Sequence, residues 1–166
     1  LSGDGRQEIV MGDRIRLTAE ALELSSLDGQ ARGKGAVDGL LRSPGGKLES
    51  PSLGLYCSEL VVQFKDMYTP EDSPAAPRWG DIQLARALGT IPVPVRIEHE
   101  NLRAQGQEFL WNAAENTFRF EGPERQRVEV ASAEKTPGFI EAHTITIERS
   151  ISKVTLAGEA RARIYL

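Results

Sequence analysis

The sequence predicts an all-β fold, and three observations predict it. Apolar residues recur at every second position in short runs, as they do where one face of a pleated strand is buried. Turn-forming residues separate those runs at intervals of about ten residues. No stretch of the 166 residues sustains the apolar period of a long amphipathic helix.

Taken in order, the first run places Ile15 and Leu17 before Ala19, and Leu22 and Leu24 after it; LDGQ (27–30) supplies a turn. SPGGK (43–47) separates this region from Leu53, Leu55, Cys57, Leu60 and Val62. Next comes DMYTPEDSPAAPRWGD, Asp66 to Asp81, which carries Pro70, Pro74 and Pro77. Three prolines cannot all fit the hydrogen-bonded interior of a sheet, so this stretch predicts an inserted surface loop. In WGDIQLARALG, Trp79 to Gly89, the residues Ile82, Leu84 and Leu88 fit either a strand or one short helix. Alternation continues through Ile91, Val93, Val95 and Ile97, then through Leu102 and Ala104 to Phe109 and Trp111. NAAEN (112–116) turns the chain into Phe118, Phe120 and Gly122. Ile140 leads to Ala142, Ile145 and Ile147; ERSISK (148–153) is the last turn, and Val154, Leu156, Gly158, Ala160, Ala162 and Ile164 finish the pattern.

These runs repeat. A small residue is followed at +3 and +5 by hydrophobics at Ala19 (Leu22, Leu24), Cys57 (Leu60, Val62) and Ala142 (Ile145, Ile147). A weaker copy starts at Ala104, where Gln107 occupies +3 and Phe109 and Trp111 stand at +5 and +7. The step is 38 residues from Ala19 to Cys57 and again from Ala104 to Ala142. Between Cys57 and Ala104 it is 47, and the proline-rich insertion accounts for the excess. Alternation at period two leads into each small residue but resumes at +3, so the phase slips by one at the same place in every copy. A β-bulge or sharp corner does this, returning the later side chains to the buried face.

The repeated unit resembles the OstA-like domain of the LptA and LptC lipopolysaccharide-transport proteins, found also at the N-terminus of LptD. The residues that carry the resemblance are Ala19, Leu22, Leu24 and Gly35; Cys57, Leu60, Val62 and Gly89; Ala104, Phe109 and Gly122; and Ala142, Ile145, Ile147 and Gly158. It implies a half-open, V-shaped β-jelly roll of two packed antiparallel sheets, built from about four repeats of roughly 38 residues, with residues 1–166 as a single domain. It implies passive carriage without a chemical step or a cofactor, in an apolar groove between the sheets. The groove would be lined by Leu22, Leu24, Leu55, Leu60, Val62, Phe64, Phe109, Trp111, Phe118, Phe120, Ile145, Ile147, Val154 and Leu156. Periodicity alone is met equally by the core of a closed sandwich. The implied ligand is lipopolysaccharide or a related glycolipid, in the periplasm, with edge-to-edge contact to homologous domains or to itself. The sequence leaves open an LptA-like or an LptC-like role, the latter with inner-membrane association through a segment outside this chain.

Other functions find less support. A net charge of −4 and a pI near 5.3, with no basic stretch to follow a phosphate backbone, argue against nucleic acid. Cys57 is the single cysteine, so an intramolecular disulfide and a thiolate-rich metal site are both excluded; on the inward phase it reads as a small buried hydrophobe. No run is long and apolar enough to span a membrane, and LSGDGRQEIV lacks a signal-peptide pattern, so the chain is read as cytosolic or as one whose targeting or anchoring segment was removed. His99 and His143 are read as surface histidines, with His143 directed away from the apolar face. GQARGKG (29–35) lacks the glycine spacing and Ser/Thr of a phosphate loop and reads as a turn. Glu20, Glu23, Glu59, Glu141 and Glu148 fall on the outward phase without a paired-carboxylate spacing. The alternative function is a β-sandwich carbohydrate-binding or adhesion module, which needs exposed aromatics; Tyr56, Tyr68 and Trp79 are the candidates.

Overall fold

A computed structural model of the chain describes residues 5–11, 15–42, 53–65, 81–99, 102–132 and 135–163. Among them the strands are β1 (Gln7–Met11), β2 (Ile15–Ala19), β3 (Ala21–Ser25), β4 (Gln30–Leu41), β5 (Leu53–Phe64), β6 (Ile82–Leu88), β7 (Val95–His99), β8 (Leu102–Gly106), β9 (Glu108–Asn112), β10 (Thr117–Ser132), β11 (Lys135–Glu148), β12 (Lys153–Ala157) and β13 (Arg161–Arg163). One 3-10 turn, Arg149–Ile151, joins β11 to β12. All the described pairings are antiparallel.

The phase slip in the sequence is a corner in space. In β5 the buried residues are Leu53, Leu55 and Cys57, then Leu60, Val62 and Phe64. The β4–β5 ladder runs Lys34 against Glu59 and resumes with Val37 against Cys57, so Gly35 and Ala36 stand opposite Ser58 alone. Both bulged residues have positive φ, 73° and 44°. An extra residue on one strand kinks and twists the pair, which turns it into a second layer. The same happens at Ala142, where Glu121 pairs with Thr144 and Gln126 with Ala142, leaving 122–125 against His143. At Ala19 the strand breaks, β2 giving way to β3 after Glu20. The fourth corner lies at Gly106 and not at the expected Ala104: β8 gives way to β9 after Gln107, Phe109 and Trp111 stand at +3 and +5 from Gly106, and Ala104 lies in mid-strand opposite Ile97 and Val128. All four small residues are buried.

Two layers result. One holds β3, the first half of β4, the second half of β5, β6, β9, the first half of β10, the second half of β11 and β12. The other holds β1, β2, the remaining halves of β4, β5, β10 and β11, with β7, β8 and β13. The layers face each other across one apolar core: His99 of the second packs edge-on to Phe118 of the first, with ring centroids 6.1 Å apart. β6 and β7 cross the corner through 89–94. A Cβ on Gly89 would lie 2.5 Å from Val95 N and 2.8 Å from Pro94 C, so only glycine allows that close backbone approach.

Several expectations need correction. Of the two readings for Trp79 to Gly89, the strand holds, over Ile82–Leu88. Ile91 and Val93 do not continue an alternating strand; they stand exposed in a turn closed by reciprocal backbone hydrogen bonds between Thr90 and Val93. GQARGKG is largely strand, because β4 starts at Gln30. The terminal strand is Arg161–Arg163, with Ala162 opposite Ile140 and Ala160 outside it; Ile164 and Tyr165 lie outside the described residues. Residues 66–80, most of the proline-rich insertion, and the SPGGK turn also lie outside them.

Candidate functional site

The registers align the apolar residues of the first layer in two rows that cross eight strands. One row runs Leu22, Gly33, Leu60, Ala87, Phe109, Phe120, Ile145, Leu156. The other runs Leu24, Ala31, Val62, Ala85, Trp111, Phe118, Ile147, Val154. Directly opposed residues share a face, so each row is a continuous apolar band. Twelve of the fourteen sequence-predicted groove residues lie in these rows. Phe64 sits at the end of β5 against Ile82, and Leu55 belongs to the facing layer. There it stands in a third row of Ile9, Leu17, Gly39, Leu55, Ile97, Ala104, Val128, Ile140 and Ala162.

Burial along the rows is graded. Leu55, Leu60, Val62, Phe64, Phe109, Trp111, Phe118, Phe120 and Ile145 are buried, and the aromatic rings pack together, Phe109 and Phe120 at 5.0 Å between centroids. Toward the ends Leu22, Ile147 and Leu156 are only partly buried, and Leu24 and Val154 are each 45% exposed. Apart from Ile147 on β11, these terminal residues lie on β3 and β12, which pair with β4 and β11 and with no other described strand. The band is therefore sealed at its centre and open at both sheet edges.

Opposite the corner the two layers meet at a lip. His99 lies there at 9% exposure, which corrects its reading as a surface histidine. Its Nε2 is 2.5 Å from Arg149 Nη1, and the Arg149 guanidinium carbon lies 6.0 Å from the Phe118 ring centre. His143 is half-buried at the corner. One ring inward from the lip, Trp111 packs on Phe118 with centroids 6.2 Å apart. Its indole N–H is buried without a hydrogen-bond partner among the described residues. Such a group costs about 1–3 kcal/mol when unpaired.

The outer faces hold the charges. Arg86 pairs with Glu108 at 2.6 Å, and Arg127 reaches both Glu129 at 2.6 Å and Glu141 at 2.5 Å. Lys34 pairs with Glu59 and Lys153 with Glu148, so three of the acidic residues read as outward are in ion pairs along the sheet surface. No group of three or more His, Cys, Asp or Glu among the described residues is placed to hold a metal ion. Tyr56 is 44% exposed on the outer face; Tyr68 and Trp79 lie outside the described residues. Sequence reasoning missed the half-buried Phe139, over whose ring Arg127 lies at 4.2 Å and Arg163 at 5.9 Å. It also missed Gln126, buried where it accepts from Gln107 N–H at 2.7 Å. A glutamine gives no signal of burial until its partner is known.

No family model matches the sequence, and no curated protein matches it. Among solved structures the chain is similar to LptH, the LptA homologous periplasmic component of the conserved lipopolysaccharide transport device from Pseudomonas aeruginosa. The TM-score is 0.64, over 92% of this chain and 95% of that one, at 13% sequence identity. The chain thus has the LptA-like, OstA-type β-jelly roll, and the likeness is one of fold.

Proposed function

We propose that this chain is a periplasmic carrier domain for lipopolysaccharide or a related glycolipid, holding acyl chains between its two layers while the polar part stays in water. The observation that supports it is the apolar band of the first layer, open at β3 and β12 and set in a fold shared with a lipopolysaccharide-transport component. Acyl chains would take the place of side-chain contacts as the layers part at the lip, so the buried apolar area is exchanged rather than lost. Carriage of this kind needs positioning and no bond-making step. Its partners would be the glycolipid and homologous domains that add to the open edges. No helix among the described residues is long and apolar enough to cross a membrane. The upstream coding sequence distinguishes a soluble carrier from the ectodomain of an inner-membrane protein.

A photo-crosslinking residue tests this reading. Placed at Phe118 or Ile147, whose side chains share an inward row, it should capture lipopolysaccharide; placed at Arg119 or Thr146, which alternate to the outer face, it should not. Equal labelling at all four sites removes the carrier reading.

A further inference from the structure

Trp111 departs from its surroundings. The large residues near it in the two rows are phenylalanine, leucine, isoleucine and valine, none of which brings a polar side-chain atom into the interior. Trp111 does, and the described residues supply its N–H with no acceptor. A buried indole N–H ordinarily finds one. Phenylalanine would fill much of the same space without a polar group to satisfy, as it does at the paired position 118. The position of the donor is equally informative. Trp111 stands in the row whose ends, Leu24 and Val154, are half-exposed, and a single ring, Phe118, separates it from His99 and Arg149 at the lip. In an acylated amphiphile, the ester or amide carbonyl joins the apolar chain to the polar head. With the head in water at the lip and the chain inside, that oxygen falls about one side chain deep.

We infer that the Trp111 indole N–H is the polar anchor of the interior, donating a hydrogen bond to the carbonyl oxygen of an ester- or amide-linked acyl chain. The inference rests on the carrier reading and narrows its ligand class: acyl chains are selected over alkyl chains joined by ethers, which offer a weaker and differently placed acceptor. Because the unbound donor is unsatisfied, the preference arises from relieving an existing deficit as well as from a new contact.

The test compares a short-chain diacyl phosphatidylglycerol with its dialkyl ether counterpart, both below their micelle-forming concentrations, by titration calorimetry on the full chain. Wild type should bind the ester about fivefold to tenfold more tightly, the effect of one satisfied buried hydrogen bond. Trp111→Phe should bind both with the affinity wild type has for the ether. A second measurement uses the wild-type indole itself: in Trp79→Phe protein, where Trp111 is the one tryptophan, its N–H proton resonance should move downfield with the ester and stay in place with the ether. Equal binding of the two probes by wild type, or an ester preference that survives Trp111→Phe, overturns the anchor and leaves carriage standing. Failure of both probes to bind overturns carriage, and the anchor with it.

Discussion

Cys57 occupies the corner position that alanine fills at 19 and 142 and glycine at 106, and like them it is buried. Desolvation pushes its thiol from an ordinary 9.0 up to about 12, against a smaller lowering by a backbone hydrogen bond from Glu59. A thiol held at that value is about one part in ten thousand thiolate at pH 8, so it has none of the character of a nucleophile. A thiol reagent at pH 8 should leave folded protein unmodified and label it once denaturant is added; rapid labelling of the native state would contradict the burial. The pKa is raised in the folded state, so the stabilisation is full below pH 9 and is lost as pH climbs from 9 toward 12. Cys57→Ala should flatten that alkaline decline in denaturant titrations and cost about 1 kcal/mol at neutral pH, since the equivalent corners at Ala19, Gly106 and Ala142 hold nothing larger than a methyl group. The smallness of this residue was legible in the sequence because it recurs; the phase of His99 was legible too, since it stands two after Ile97, but the usual surface preference of an imidazole outweighs that phase until its contacts with Phe118 and Arg149 are known.

The long strands show where sequence is informative about elements and where it is not. Alternation and the slip after each small residue announce the corners at Ala19, Cys57 and Ala142, because each corner disturbs a local period; the fourth, expected at Ala104, lies two residues on at Gly106, which the alternation of Leu102 and Ala104 does not mark. Glycines give no such guidance. GQARGKG reads as a turn by composition, yet Gly33 lies in β4, and it is a glycine where a Cβ would press on Val37 Cγ1 at 3.3 Å and Leu22 Cδ2 at 3.4 Å. The requirement comes from a neighbouring layer, which no local pattern records. At the other end of β5, the insertion is bounded by paired strand ends: Lys65 N–H donates to the Asp81 carbonyl at 2.8 Å, next to the Phe64–Ile82 pair. Ends already this close need no long connection, and closing a shorter loop costs less entropy. Replacing residues 66–80 with a short Gly-Ser turn should therefore leave the melting temperature within a few degrees. A collapse of the fold would show that the insertion holds part of the core.

At the scale of the whole molecule, the sequence identified which residues face inward but not how open the interior is. Openness depends on which strands lack a neighbour. Among the described residues, the register shows β3 and β12 as edges of one layer and β1 and β13 as edges of the other, with the rows least buried at β3 and β12. Unpaired edges expose backbone donors and acceptors, and here they also expose the ends of an apolar band. Both are satisfied if β12 and β13 of one molecule add to β3 and β1 of the next, which would join the two bands into one path. The outward Arg161 and Arg163 of β13, opposite Glu141 and Phe139, leave the backbone edge itself unblocked by proline. The expected behaviour is concentration-dependent head-to-tail association, with the chain itself or with a homologous domain. Arg163→Pro removes a backbone donor from this edge strand whichever neighbour it serves, so it should shift self-association to roughly tenfold higher concentration. Sedimentation velocity of wild type and variant over a wide concentration range reads this directly. A wild type that stays monomeric throughout and binds no homologous domain would mean that the exposed edges are not joints, and that any lipid path ends at the boundary of a single molecule.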